Sequence, residues 1–267
     1  MPYVNLTIVV VLTLISGIAC AANPKVRRYE CWFLVMSIIL MVGLYAFSLL
    51  ANVGRVFTYR LDEYSYLFDS NFGEPSFVIG RFMARYIWVD LATRFAYNTM
   101  FSLVAIVVSF YFCTQPLEHA VRVVMAMLTN MLGFLVYFIV PVSGPRYLMP
   151  SFPFGNHSIV HPHVVYIAAI PNGFPSLHFS TALLLAWAVW KWRWGKMFGF
   201  LYVVAVALCT LGSGEHYLLD LLGSVILLWL CVYCSADNRR GEEQGRICEI
   251  CSTEQPVGSE AGGSVGK

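Results

Sequence analysis

The chain has 267 residues, 58% of them hydrophobic and 12% charged, with a mean hydropathy of +0.68. A water-soluble fold of that size would keep large apolar patches exposed, so the composition excludes a soluble globular protein and points to a polytopic membrane protein. The formal net charge of +2 is too small to argue for a nucleic-acid partner.

Seven stretches are apolar enough, and close enough to the roughly 20 residues a helix needs to cross a bilayer, to be spans. In chain order they fall at about 3–22, 31–51, 95–113, 122–141, 176–192, 197–212 and 216–235. Backbone in lipid must satisfy its own hydrogen bonds, so the expected fold class is all-α, a polytopic membrane helix bundle. The chain divides into an N-terminal span with a basic loop (1–30), a membrane domain (31–235) and a polar tail rich in Gly, Ser and Glu, expected to be disordered (236–267). The first span lacks the basic start of a signal peptide, although "ACAA" offers small residues for cleavage. An uncleaved helix fits better, because a cleaved signal would deliver the basic segment after it to the outside.

Three short segments set the orientation. They carry Lys25, Arg27 and Arg28; Lys191, Arg193 and Lys196; and Arg239 and Arg240. All fall on one side if seven spans alternate, and the positive-inside rule makes that side cytoplasmic. The N-terminus is then outside and the C-terminus inside. Every cysteine except Cys209 maps to the cytoplasmic half, which suits a reducing compartment and gives no disulfide framework outside.

Two outside segments are long. Within 52–94, "SFVIGRFMARYIWVD" sets Arg81 and Arg85 four apart among apolar neighbours and reads as one amphipathic helix. It either packs on the bundle or brings its arginines to lipid phosphates. Residues 142–175 are rich in proline and histidine, as a structured loop would be.

Three polar clusters fall at the outer ends of different spans: "PVSGPRY" (141–147), "FPSLHFS" (174–180) and "GSGEHYLLD" (212–220). Ionisable groups at a membrane face are candidates for function. His216 and Asp220 stand one helical turn apart, so the carboxylate can orient the imidazole and leave its other nitrogen with a lone pair. The plainer alternative is an acidic first turn that closes a helix start. Ser176 reads as an N-cap, and the N–H groups behind it as an anion site. His178, in the first turn, is placed to protonate a leaving oxygen or simply to sit at the interface. Arg146 presents a planar fork that suits phosphate, or it snorkels. Taken together, one cation, one helix N-terminus, one acid histidine and one oriented histidine are the equipment for phosphoryl transfer through a phosphohistidine, without metal or other cofactor.

At these residues the sequence resembles the type 2 phosphatidic acid phosphatase superfamily, whose motifs read K-x6-R-P, P-S-G-H and S-R-x5-H-x3-D. The second is found as Pro175-Ser176-Leu177-His178, and the third keeps His216 and Asp220. The resemblance covers spans two to seven and implies a six-helix core, His216 as nucleophile, Asp220 as its orienting partner and His178 as general acid. Leu177 replaces the glycine, Cys209 and Thr210 replace the serine and arginine, Ile139 stands at the lysine position, and Pro145-Arg146 reverses Arg-Pro. The altered set is more similar to the branch containing inositol phosphorylceramide synthases, with its P-S-L-H and H-Y-x2-D motifs. That branch passes a head-group phosphate between lipids, so a phospholipid or lipid phosphate substrate is implied, in a plasma, inner or Golgi-type membrane, with the site on the outer or lumenal face.

Other signals are weaker. His157, His161 and His163 have spacing that could ligate a metal, and Cys231-x2-Cys234 with Cys248-x2-Cys251 superficially resembles a zinc site, although its first pair lies in a span. Acylation of those cysteines is a comparable idea. Asn5 and Asn156 open glycosylation sequons. The rival reading is a lipid-binding or transport bundle, but transporters place charge at mid-membrane, whereas here the polar residues crowd one face.

Overall fold

The computed structural model describes residues 61–149, 152–153 and 172–253, with side chains given as far as Ser235. The expected spans at 3–22 and 31–51, the basic 23–30 segment, both sequons, and His157, His161 and His163 lie outside the described residues. So do the side chains of Cys248 and Cys251.

Every described element is helical: α1 (Asp62–Ser70), α2 (Pro75–Arg85), α3 (Ile87–Asn98), α4 (Met100–Thr114), α5 (Leu117–Leu132) with a 3-10 continuation (Gly133–Phe138), the short α6 (Pro145–Leu148), α7 (Leu177–Val189), α8 (Arg193–Gly212) and α9 (Leu218–Thr253). Glu118–Phe138, Arg193–Gly212 and Leu218–Ser235 are each long and apolar enough to cross a membrane. The pair α3–α4, bent by 48°, would make a fourth span, and α7 is a shorter apolar helix of 13 residues. The chain is therefore a membrane-embedded helical protein.

The expected span at 95–113 is in fact the end of α3 and most of α4. The bend falls at Thr99, whose hydroxyl donates to the Phe95 carbonyl one turn back at 2.8 Å. Such back-bonding bends helices. The expected helix "SFVIGRFMARYIWVD" also differs: it stops at Arg85, and Tyr86 leaves the helical region at φ −116°, ψ 85°. Neither Gly nor Pro marks the break. It lets α2 and α3 both lie along α8, so packing overrides local propensity here. Gly80 and Gly212 allow the close approach of α2 to α8, since a Cβ on Gly80 would sit 3.0 Å from the Gly212 carbonyl oxygen. Met83 is fully buried there, while Arg81 and Arg85 lie over the rings of Phe77 and Tyr86.

The core runs between α4, α5, α7, α8 and α9, through residues such as Val104, Met127, Leu184, Leu185, Val206 and Leu221. One polar lock crosses it. The Asn130 amide donates to Thr181 Oγ1 at 2.9 Å and accepts from Ser180 Oγ at 2.6 Å, with all three residues buried. A fully paired group of this kind fixes the rotation of α7 against α5. The last helix does not stop at 235, where the tail was expected to begin. No proline follows until Pro256, and the polar residues beyond the span continue the helix to Thr253.

α7 starts, and α8 ends, at the end of the bundle where the three polar clusters lie. The basic Lys191–Lys196 segment, which leaves α7 and begins α8, is at the opposite end. There Lys191 pairs with Gln115 and lies over the Tyr111 and Trp192 rings.

Candidate active site

Backbone hydrogen bonds join the three clusters pairwise. Gly173 N–H donates to the Val142 carbonyl at 2.6 Å, Arg146 N–H to Gly214 at 3.0 Å, and Ser176 N–H to Asp220 at 3.2 Å. Two glycines are needed for this closeness. Gly144 has φ +108° and Gly214 has φ +72°; a Cβ on the first would strike the Glu215 carbonyl and on the second the Phe152 ring. The extended 141–144 segment of this corner is also held from α1, where Asp62 Oδ1 accepts from the N–H groups of Ser143 (2.8 Å) and Gly144 (3.0 Å).

His216 sits in the short non-helical link between α8 and α9 and is 4% exposed. Its Nδ1 lies 2.9 Å from the Gly173 carbonyl oxygen and 3.4 Å from Asp220 Oδ2. Two oxygen acceptors face Nδ1, so that nitrogen carries the proton and Nε2 keeps its lone pair. Asp220 is fully buried, and its Oδ2 also accepts from the Tyr217 N–H at 2.8 Å, reaching back across the first turn of α9. Asp220 thus faces the imidazole and also closes the helix start. The nearer partner of the ring, however, is a backbone carbonyl that the spacing could not reveal.

Ser176 is the N-cap of α7. Its Oγ accepts from the Phe179 N–H at 3.4 Å, which leaves its own O–H as a donor, and the residue is fully buried. Ser224 Oγ, 2.8 Å from both the Ser176 and Asp220 carbonyl oxygens, ties that cap to α9. His178 follows in the first turn. Its ring stacks on Tyr97 of α3 with centroids 4.3 Å apart and meets the edge of Phe101 at 6.4 Å. It lies within electrostatic range of His216, and Tyr97 lies within range of Glu215 and Tyr147. The structure thus gathers His178, His216, Asp220 and Ser176 at one corner.

Arg146 is at the same corner but is already engaged. Its guanidinium pairs with Glu215 and lies 4.7 Å over the Tyr147 ring, and Tyr147 Oη is 3.2 Å from the other Glu215 oxygen. Burial, and then the Glu215 charge, push the Tyr147 phenol up to about 12. Glu215 directly precedes His216 in "GSGEHY", and the sequence reading passed over it. Asp69 and Ser76 were missed as well: Ser76 Oγ is 3.1 Å from both Asp69 Oδ2 and the His216 carbonyl oxygen, and Asp69 Oδ1 accepts from the Leu218 N–H at 2.8 Å. Among the described residues, no group of three or more His, Cys, Asp or Glu side chains could hold a metal ion.

The sequence model of the PAP2 superfamily matches residues 66–234, more than half of the chain and all of this corner. The protein belongs to the PAP2 superfamily, an assignment consistent with phosphatase or phosphotransferase activity in a membrane-embedded helical protein. No curated protein and no solved structure gives a match.

Proposed function

We propose that the protein is a metal-independent lipid phosphotransferase that works through a phosphohistidine on His216, within a six-helix catalytic domain spanning residues 31–235. The observation that carries this reading is the pairing of His216 Nδ1 with the Gly173 carbonyl and Asp220, which directs the lone pair of Nε2 away from its anchors. In the first step Nε2 attacks phosphorus, the bond from phosphorus to the leaving oxygen breaks, and protonated His178 gives that oxygen its proton. In the second, the oxygen of an acceptor alcohol attacks, the phosphorus–nitrogen bond breaks, and His178 takes the alcohol proton. Asp220 stabilises the imidazole as positive charge develops on it. Arg146 exchanges Glu215 for the substrate phosphoryl oxygens, with the Ser176 hydroxyl as a further donor.

The Pro175-Ser176-Leu177-His178 and His216-Tyr217-x2-Asp220 motifs favour transfer of an inositol phosphate-like head group to a lipid alcohol over hydrolysis. Exclusion of water decides between the two outcomes. Opposite this corner lies the basic Lys191–Lys196 segment, so by the positive-inside rule the site faces the outer or lumenal side.

The test is product analysis. Purified protein in detergent micelles, with chelator present, is incubated with phosphatidylinositol, phosphatidate, ceramide and diacylglycerol, and the products are read by mass spectrometry. A new phosphodiester lipid is expected. Free phosphate alone would mean a lipid phosphate phosphohydrolase. No product, together with no acid-labile phospho-enzyme, would leave a non-catalytic lipid-binding bundle.

A further inference from the structure

We propose that Asp69 and Ser76 form a positioning pair for His216, a role that rests on the reading of His216 as nucleophile. The peptide unit that follows His216 is held at both ends. Its carbonyl oxygen lies 3.1 Å from Ser76 Oγ, which donates to it or to Asp69, and its N–H, that of Tyr217, donates to Asp220 Oδ2 at 2.8 Å. The next N–H, from Leu218, donates to Asp69 Oδ1 at 2.8 Å. Asp69 Oδ2 in turn lies 3.1 Å from the Ser76 hydroxyl. A single carboxylate from α1 thereby fixes the backbone immediately after His216, directly on one side and through Ser76 on the other. Because His216 lies outside any helix, no helical ladder fixes its backbone in their place.

Capping α9 is the plainer role, and an asparagine would fill it at lower cost. Asp69 is 2% exposed and lies near Asp220, so its ionised form is opposed both by burial and by a like charge. These effects hold its carboxyl up at about 6, against the hydrogen bonds from Leu218 and Ser76, which pull it down. The titratable groups gathered with it around Tyr217, the residue just before α9, are Asp220, and Asp62 and Tyr66 from α1, with Glu74 hydrogen-bonded to Tyr66. A costly carboxylate retained where a neutral cap would serve is the mark of a functional position. Ionised, Asp69 accepts charge-assisted hydrogen bonds from both Leu218 and Ser76; protonated on Oδ2, it accepts only a weaker, neutral bond from Leu218 and becomes a donor to Ser76 Oγ.

The experiment uses the full chain in detergent micelles, with phosphatidate and phosphatidylinositol as donors and ceramide as acceptor. It compares wild type with Asp69→Asn, Ser76→Ala, Ser76→Thr and His216→Ala, each checked by its melting curve. A nucleophile displaced by a fraction of an ångström to about 1 Å loses on the order of 10–100-fold in rate. Asp69→Asn and Ser76→Ala are therefore expected to lower kcat by about that factor with KM changed less than about twofold, and Ser76→Thr to restore it. Wild-type kcat is expected to fall as pH drops through about 6, and Asp69→Asn to lose that limb. An inactive His216→Ala beside Asp69→Asn and Ser76→Ala with wild-type kcat and pH profile overturns the positioning role alone. An active His216→Ala, or a wild type that turns over neither donor, overturns the nucleophile reading and this inference with it. If Asp69→Asn does not fold, Ser76→Ala, which removes one hydroxyl, decides by the same kcat criterion.

Discussion

The two histidines of the site are held in opposite ways. His216 is anchored by oxygen: a carbonyl and a carboxylate face one ring nitrogen, and the backbone after it is clamped from three directions. His178 is held by rings, stacked on Tyr97 and edged by Phe101. Oxygen anchors select a tautomer and an angle, as a nucleophile requires. Aromatic faces select a plane but leave the proton free to come and go, as an acid–base group requires.

The largest effect should come from the oxygen-anchored side. His216→Ala is expected to lower turnover by about 10⁴-fold or more, since loss of a nucleophile removes the covalent route. Asp220→Asn should cost less, because the Gly173 carbonyl still faces Nδ1. Equal losses in the two variants would show that the carboxylate, and not the carbonyl, sets the tautomer. On the ring-held side, His178→Gln should cost on the order of 10²–10⁴-fold, the usual worth of a general acid. Tyr97→Leu keeps the apolar cover but removes the stacked ring, and is expected to change the pH profile more than KM. A Tyr97→Leu profile identical to wild type would make the stack mere packing.

A smaller effect should follow from Glu215. Its carboxylate occupies the guanidinium of Arg146, so anionic substrate must compete for that cation. Glu215→Gln is expected to lower KM for an anionic phospholipid several-fold with kcat little changed. Arg146→Ala should raise KM by about 10-fold or more, the worth of a charge-assisted hydrogen bond. If neither variant moves KM, Arg146 belongs to the loop and not to the substrate.

Legibility in the sequence followed range. Ser176 as N-cap and the one-turn pairing of His216 with Asp220 are local, and the spacing alone revealed both. So did the apolar runs that became α5, α8 and α9. The convergence of the three clusters depends on backbone hydrogen bonds between segments about thirty to seventy residues apart, which no residue type announces. Asp69 lies 149 positions from its partner Leu218, in a stretch of the 52–94 segment outside the three polar clusters. The break at Tyr86 has no Gly or Pro to mark it and exists because α8 offers a surface to the segments on either side. Glu215 was in plain view beside His216. Its ion-pair partner, Arg146, lies about seventy positions away, so the sequence neighbourhood of His216 does not announce the pair.

The smallest expected effect joins the site to the stability of the fold. Asp69 titrates from 3.8 in an ordinary environment to about 6 in this one, chiefly through burial. A carboxyl whose folded value is raised stabilises the fold fully below about 3.8 and loses that contribution as pH rises through about 6. The melting temperature in micelles should therefore fall between those pH values, and Asp69→Asn should flatten that part of the curve and raise it at neutral pH. The direction runs against activity, which the positioning role requires to rise over the same interval as Asp69 ionises. A residue that weakens the fold where it helps the reaction is poorly explained as a cap alone. If melting temperature and kcat rose together with pH through this interval, the opposition would vanish and Asp69 would be a stabilising cap.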